Sequence, residues 1–237
     1  MKLLVSVVSS DEARAAAAAG ADIIDVKDPR EGALGAPSTR TLEQIVAVLG
    51  AAAPVSVALG DLPDLPHTAA LAARGAAACG ADYVKVGLRG THDLDRAIAV
   101  VTAVCEAVPA TTAVIAASYA DGPAASPPAL DPGLLPELVR RTGIAGALVD
   151  TLVKDGRGLY ASLSPEAVTQ LAQRTRAAGG SFGVAGQLRS GELCRVPADI
   201  VGVRSAVCRG GDRAAALDPE LVAAAVAELR AAAVSWA

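Results

Sequence analysis

Lysine is rare in this chain, and its placement points to chemistry. Of the 21 Lys and Arg residues only four are Lys: Lys2, Lys27, Lys85 and Lys154. Three of them sit in or just after apolar, β-branched runs. These are Ile23-Ile24-Asp25-Val26-Lys27, Tyr83-Val84-Lys85-Val86 and, ahead of Lys154, Ala147-Leu148-Val149-Asp150-Thr151. A guanidinium stays charged in a protein, so Arg cannot replace Lys where an amine must lose its proton and attack a carbonyl. Arg nearly everywhere, with Lys kept at strand ends, points to amine chemistry.

Carboxylates accompany these lysines. Asp25 precedes Lys27 by two residues, so on a strand the two side chains share a face. Lys85 follows a Gly-Ala-Asp that matches the one before Lys27, and Asp150 precedes Lys154 by four residues. Two ammonium groups pointing into one mouth repel, and each lowers the other's pKa, which would poise a nucleophile near neutral pH. Asp25 and Asp150 would balance the amines and relay protons. The plainer alternatives are a buried ion pair at Lys27 and a solvated turn at Lys154.

A second group of residues is suited to phosphate. Ala185-Gly186-Gln187 and Gly202-Val203-Arg204-Ser205 close two late strands, and Cys208-Arg209-Gly210-Gly211-Asp212-Arg213 follows. Backbone N–H groups in such loops hold anions. Gly186, Gln187, Gly202, Arg204, Ser205, Gly210 and Gly211 are therefore the candidate phosphate-binding residues, with charge added by Arg209 and Arg213. Together with the lysines they suggest a phosphorylated carbonyl substrate. Gly60-Asp61 is a weaker candidate. His67 and His92 fall near helix starts, where capping or surface roles are expected.

These residues need elements to position them. Strands are predicted at Leu3–Val8, Asp22–Lys27, Val55–Leu59, Asp82–Val86, Thr112–Ala117, Ala147–Asp150, Phe182–Ala185 and Asp199–Val203. Helical patterns lie between and after them, at Asp11–Ala19, Thr39–Leu49, Thr68–Cys79, Leu94–Ala107, Pro132–Thr142, Pro165–Ala178, Gly191–Arg195 and Pro219–Ala232. Gly20-Ala21-Asp22, Gly80-Ala81-Asp82 and Pro197-Ala198-Asp199 form a weak repeat at helix-to-strand junctions. Ser164-Pro165, Asp131-Pro132 and Asp218-Pro219 read as helix starts. Strict alternation implies parallel strands with helical crossovers, and eight units in 237 residues fit one α/β domain over residues 1–237, a TIM (β/α)8 barrel. A doubly wound sheet would usually carry a Gly-rich fingerprint after the first strand, whereas Val8-Ser9-Ser10-Asp11 stands there. The long Asp28–Ser38 and Asp121–Leu130 loops fall on the C-terminal side of the strands, where barrel enzymes keep their sites.

Composition narrows the function classes. A net charge of −4 and 2% aromatic residues argue against nucleic-acid binding. Cys79, Cys105, Cys194 and Cys208 form no CxxC pair, and with only two histidines no metal site is expected. No apolar run is long enough to span a membrane, and the N-terminus reads as a strand rather than a signal peptide, so the cytoplasm is the default expectation. The Ala-rich helix faces are compatible with a homo-oligomer and equally with ordinary helix–sheet packing.

Four stretches carry a family resemblance. They are Gly20–Lys27 with Glu31–Ala36, Gly80–Leu88, Asp150-Thr151 with Lys154-Asp155-Gly156, and Asp199–Arg204 through Asp212-Arg213. Over nearly its whole length the chain resembles the (5-formylfuran-3-yl)methyl phosphate synthases of methanofuran biosynthesis. That resemblance implies a TIM barrel without metal or organic cofactor. It implies a lyase that condenses two molecules of glyceraldehyde 3-phosphate into a furan aldehyde phosphate with loss of phosphate and water. It places the Schiff-base lysine at Lys27, the proton-accepting lysine at Lys85, and the supporting charged residues at Asp25, Asp150 and Lys154. The chain departs from the archaeal pattern in its Ala- and Arg-rich composition, in its Ala120-Asp121-Gly122-Pro123 loop and in Arg209, where Lys is more usual; the five charged positions are kept. The competing readings are a class I aldolase acting on sugar phosphates and a non-catalytic phosphosugar-binding barrel.

Overall fold

The protein's structure, a computed structural model, describes residues 1–235. Eight parallel strands close into a barrel in sequence order. They are β1 (Lys2–Val7), β2 (Ile23–Val26), β3 (Val55–Asp61), β4 (Tyr83–Gly87), β5 (Ala113–Tyr119), β6 (Gly146–Asp150), β7 (Ser181–Val184) and β8 (Ile200–Val203), with β8 pairing back onto β1. The helices are α1 (Ser10–Ala18), α2 (Thr39–Leu49), α3 (Pro66–Ala78), α4 (Leu94–Ala107), α5 (Leu135–Thr142), α6 (Pro165–Ala177) and α7 (Pro219–Ser235). The expected TIM barrel is the observed fold.

Strand side chains alternate between two cores. Outward-facing Val5, Val7, Ile24, Val26, Val57, Val84 and Val86 pack under helix residues such as Ala13, Ile45, Ala73 and Val100. The inward faces form a smaller cluster that includes Ala58, Ile115, Ala117, Tyr119 and Leu148. Alternation puts Asp25, Lys27, Lys85 and Asp150 on this inner face too, near the C-terminal ends of their strands.

Local chemistry explains the helix starts. Ser9, Ser38 and Ser164 each accept the N–H three residues on, and Asp93 accepts from Asp95 and Arg96. Each cap satisfies donors that the first helical turn leaves open. The repeated Asp at the helix-to-strand junctions has a structural role. Asp22 accepts the backbone N–H of Leu3 at 2.7 Å, Asp82 that of Val55 at 2.7 Å, and Asp199 that of Phe182 at 2.8 Å. Each carboxylate thus fastens the start of its own strand to the start of the preceding one.

One expected helix is missing. Gly191–Arg195 holds only a single 3-10 turn at Leu193–Arg195. Gly191 has φ +87°, and the Glu192 carboxylate is taken by the Arg189 N–H. Glu228 of α7 reaches across to accept from the N–H groups of Gly191 and Cys194. The C-terminal helix therefore covers the flank that a seventh crossover helix would have filled, leaving seven α-helices among the described residues. The Asp131-Pro132 start caps a 3-10 turn, Pro132–Leu134, that runs directly into α5.

Candidate active site

The inner-face charges meet at the C-terminal mouth. Asp25, Lys27, Lys85, Asp150 and Lys154 all line one cavity. The lysines at positions 27 and 85 thus face a common space. The carboxylates pair in a way the spacing does not suggest. Asp25 lies beside Lys27 on β2, yet the amine touching it is that of Lys85, with Nζ 2.6 Å from Oδ1. Ser6 donates to the other oxygen, Oδ2, at 3.0 Å. Strand β3 lies between β2 and β4, and its inner face carries only Ser56 and Ala58 there. These small side chains leave room for Lys85 to reach across.

Asp150 holds Lys154 in a second pair, with Nζ to Oδ1 at 2.6 Å. Lys154 also donates to Thr151 Oγ1 at 3.2 Å, and the Thr151 N–H donates to Asp150 Oδ1 at 2.7 Å. Asp121 steadies this loop by accepting the N–H groups of Leu152 and Val153 at 2.7 and 2.9 Å. Burial alone would raise the pKa of Asp150. The ammonium groups of Lys154 and Lys27, with the two hydrogen bonds, outweigh burial and hold the carboxyl below the usual range.

Lys27 is the exception among the inner-face lysines. It is 7% exposed, and among the described residues its amine has neither a carboxylate in ion-pair contact nor a hydrogen-bond acceptor. Its pKa is lowered to about 8. Burial is the leading cause. Asp150 and Asp25 oppose it, and Lys85 and Lys154 add smaller lowering contributions. Like-charge repulsion, the cause expected from the sequence, is therefore secondary, because each neighbouring ammonium has its own carboxylate. At neutral pH such an amine is unprotonated some hundreds of times more often than an ordinary lysine, roughly tenfold for each pKa unit.

The phosphate candidates separate into three groups. Gly186, Gln187, Gly202, Arg204 and Ser205 line the same cavity as Lys27. The N–H groups of Gly186, Gln187 and Ser205 have no acceptor among the described residues. Gly186 has φ +113°, and a Cβ there would come within 3.0 Å of Thr151, so only glycine fits that turn. Gln187 also has a positive φ, 52°, and its Oε1 accepts from the Gly156 N–H, tying the β7 loop to the Lys154 loop. Arg204 lines the cavity but has no donor left for a ligand. Its guanidinium donates to Glu12, to the Ser6 and Ala215 carbonyls, and through Nε to the Arg213 carbonyl. It clamps the end of β8 to α1. Gly210 and Gly211 are exposed on the Arg209–Gly211 turn and do not line the cavity. Arg213 does line it, is half-buried, and its guanidinium makes one hydrogen bond among the described residues, to Gly32 O at 3.4 Å.

Sequence reasoning passed over Leu34 and Tyr119, and gave Asp61 only a weak place. Leu34 roofs the cavity, delivered by a loop that turns back so tightly that a Cβ on Gly35 would lie 2.1 Å from Asp28 O. Tyr119 donates to Asp61 Oδ1 at 2.7 Å. Burial raises the pKa of Asp61 despite that bond, and burial also raises the pKa of Tyr119. Among the described residues no three His, Cys, Asp or Glu gather into a metal-binding group, and no helix is long and apolar enough to cross a membrane.

A closed (β/α)8 barrel with a buried lysine–aspartate cluster at its C-terminal mouth has the architecture of a barrel enzyme. Solved structures share the barrel fold. The phosphoribosyl anthranilate isomerase of Thermotoga maritima superposes with a TM-score of 0.67 at 13% identity, covering 98% of this chain and 99% of that one. The orotidine 5′-phosphate decarboxylase of Pyrococcus horikoshii gives 0.64 at 19% identity, covering 96% and 99%. Sequence comparison goes further than fold. Residues 3–226 match the family model described as 4-HFC-P synthase. The (5-formylfuran-3-yl)methyl phosphate synthase of Methanosarcina mazei is 38% identical over 237 residues, covering 98% of this chain and 100% of the relative. That of Methanopyrus kandleri is 43% identical over 218 residues, covering 90% and 91%. The chain belongs to the 4-HFC-P synthase family.

Proposed function

We propose that the protein is a lyase that joins two molecules of glyceraldehyde 3-phosphate into (5-formylfuran-3-yl)methyl phosphate, through a Schiff base on Lys27. The overall balance is two triose phosphates in, and one furan aldehyde phosphate, one inorganic phosphate and two waters out. The observation that carries this reading is the Lys27 amine, buried, unpaired among the described residues and with its pKa brought down to about 8, beside two amines that are each paired.

The chemistry is as follows. One triose phosphate isomerises to its ketone, and neutral Lys27 adds to that carbonyl. The carbinolamine hydroxyl leaves as water with a proton from the Lys154–Asp150 pair. Lys85, after passing its own proton to Asp25, whose Oδ1 is 2.6 Å away, takes the C2 proton of the second triose phosphate, and the resulting enolate expels phosphate from C3. The enol left behind bonds through its terminal carbon to the iminium carbon, which gives the branched six-carbon skeleton that the product needs. The hydroxyl of the imine-bound triose closes onto the new ketone, and loss of water and elimination of the Lys27 amine complete the aromatic furan and return the amine. The open N–H groups of Gly186, Gln187 and Ser205, with Arg213, would hold the phosphate of the imine-bound substrate. Family membership and the relatives' names support this product; the substrate and a place in methanofuran-type biosynthesis rest on the family resemblance.

The test is to incubate the protein with glyceraldehyde 3-phosphate, follow the near-ultraviolet absorbance of a furan aldehyde, and trap the imine with borohydride. The chromophore should appear, and the trapped mass should map to Lys27. A reversible sugar adduct without chromophore would make the protein an aldolase. Trapping that survives Lys27→Ala would remove the proposal.

A further inference from the structure

A reaction that joins two phosphorylated molecules needs two places for phosphate, and the mouth of the barrel opens into two cavities. The first is the one described. The second lies between Val8 after β1, the Asp28–Ser38 loop, the first turn of α2, and Arg213-Ala214. Lys27 and Arg213 line both. Resting on the two-substrate reading above, we infer that the second cavity receives the second triose phosphate, its phosphate held by Arg213 and the N-terminus of α2. The two substrates then meet at Lys27.

Three observations carry this. Lys27 is buried, has no partner among the described residues, and faces the second cavity as well as the first. Lys27 thus borders both spaces. The N-terminus of α2 points its positive end at this space. Ser38 Oγ satisfies the Thr41 N–H at 3.1 Å, while the N–H groups of Thr39 and Arg40 have no acceptor among the described residues. The charge also fits. Among the described residues Asp28 is the one carboxylate lining the cavity, and Arg30 grips both its oxygens, with Nη2 at 2.7 Å from Oδ2. Arg213 has donors to spare, whereas Arg204, which also lines the cavity, has none.

Thr41 offers a clean test because it occupies the third position of α2, where Glu would complete a capping box with Ser38 and favour the helix. The Thr41→Glu variant should therefore melt no lower than the parent. It should also keep borohydride trapping of dihydroxyacetone phosphate on Lys27 within about twofold, because that substrate uses the first cavity. Furan formation from subsaturating glyceraldehyde 3-phosphate should fall about tenfold or more, chiefly through KM, because one carboxylate now faces a phosphate dianion. Thr41→Gln, similar in shape but uncharged, should stay within about threefold of the parent. An unchanged KM in Thr41→Glu would place the second substrate elsewhere and leave the Lys27 reading standing. Trapping that fell in step with turnover in that variant would overturn the separation into two subsites. Absence of trapping in the parent protein would overturn the Lys27 reading and this inference with it.

Discussion

The two ends of the barrel use the same side chain for different ends. At the N-terminal rim, Asp22, Asp82 and Asp199 each accept a backbone N–H from the start of the neighbouring strand. These carboxylates are at least partly exposed, so hydration costs them little and the bond adds strand registration. At the C-terminal mouth, Asp25 and Asp150 are 0% and 2% exposed and face ammonium groups at 2.6 Å. Burying charge there opposes folding, and pairs of this kind seldom add net stability over an apolar filling. The floor is thus built for stability. The mouth buries a charged cluster at a cost to stability, which the proposed chemistry would account for.

The largest break in this comparison is at Lys27. Its folded pKa of about 8 lies below the usual 10.5. Between these two values the unfolded chain holds a proton that the folded chain has released, so stability rises with pH across that window. Below pH 8 the penalty is fully present, about 3 kcal/mol at the usual conversion. Lys27→Met should therefore stabilise the fold at pH 7, measured by denaturant midpoint, with the gain vanishing as pH approaches 10.5. Turnover should fall on the order of 10⁴-fold or more because the nucleophile is gone. A variant less stable than its parent at pH 7 would mean that this amine is paired in solution. In the parent, the imine-trapping rate at fixed substrate should rise through pH 8 and level off above it.

Asp25→Asn sharpens the contrast next. It keeps an acceptor for the Ser6 hydroxyl but leaves the Lys85 ammonium buried without a counter-charge. Removing one partner of a buried pair costs about 3–5 kcal/mol, and turnover should drop roughly 10²- to 10⁴-fold if the pair carries the proton. Urea denaturation and initial rates would both register it. A change confined to stability would make the pair structural.

How much of this was legible beforehand depended on distance along the chain. The lysines stood out because Arg had taken nearly every other cationic position, and the strands because β-branched runs alternate with Ala-rich ones. The pairing was hidden. Asp25 and Lys27 share a strand face, but the contact goes to Lys85 because β3 offers only small residues in between. Tyr119–Asp61 spans 58 residues and Arg204–Glu12 spans 192, distances over which sequence spacing carries no information without a barrel register. The Gly-Ala-Asp repeat was visible as a junction marker, but its bond to the preceding strand required coordinates. The Gly191–Arg195 helix was overestimated because Glu228, on a helix some thirty residues later, supplies the bonds that its own turns would have made.

At the floor the expected effects are smaller. Asp82→Ala leaves the Val55 N–H without its acceptor, which should cost about 1–3 kcal/mol, with the kcat per folded molecule unchanged. Asp199→Asn is the closest control for the mouth, because it makes the same chemical change as Asp25→Asn. The amide oxygen can still accept from Phe182 N–H, and the lost charge only weakens a surface pair with Arg176, 2.9 Å away and 45% exposed, a contact worth no more than about 1 kcal/mol. Thermal midpoint and turnover should both stay near the parent's. One carboxylate-to-amide exchange would then be almost silent at one end of the barrel and disabling at the other. If Asp199→Asn instead reduced turnover as strongly as Asp25→Asn, the division between a structural floor and a chemical mouth would be wrong.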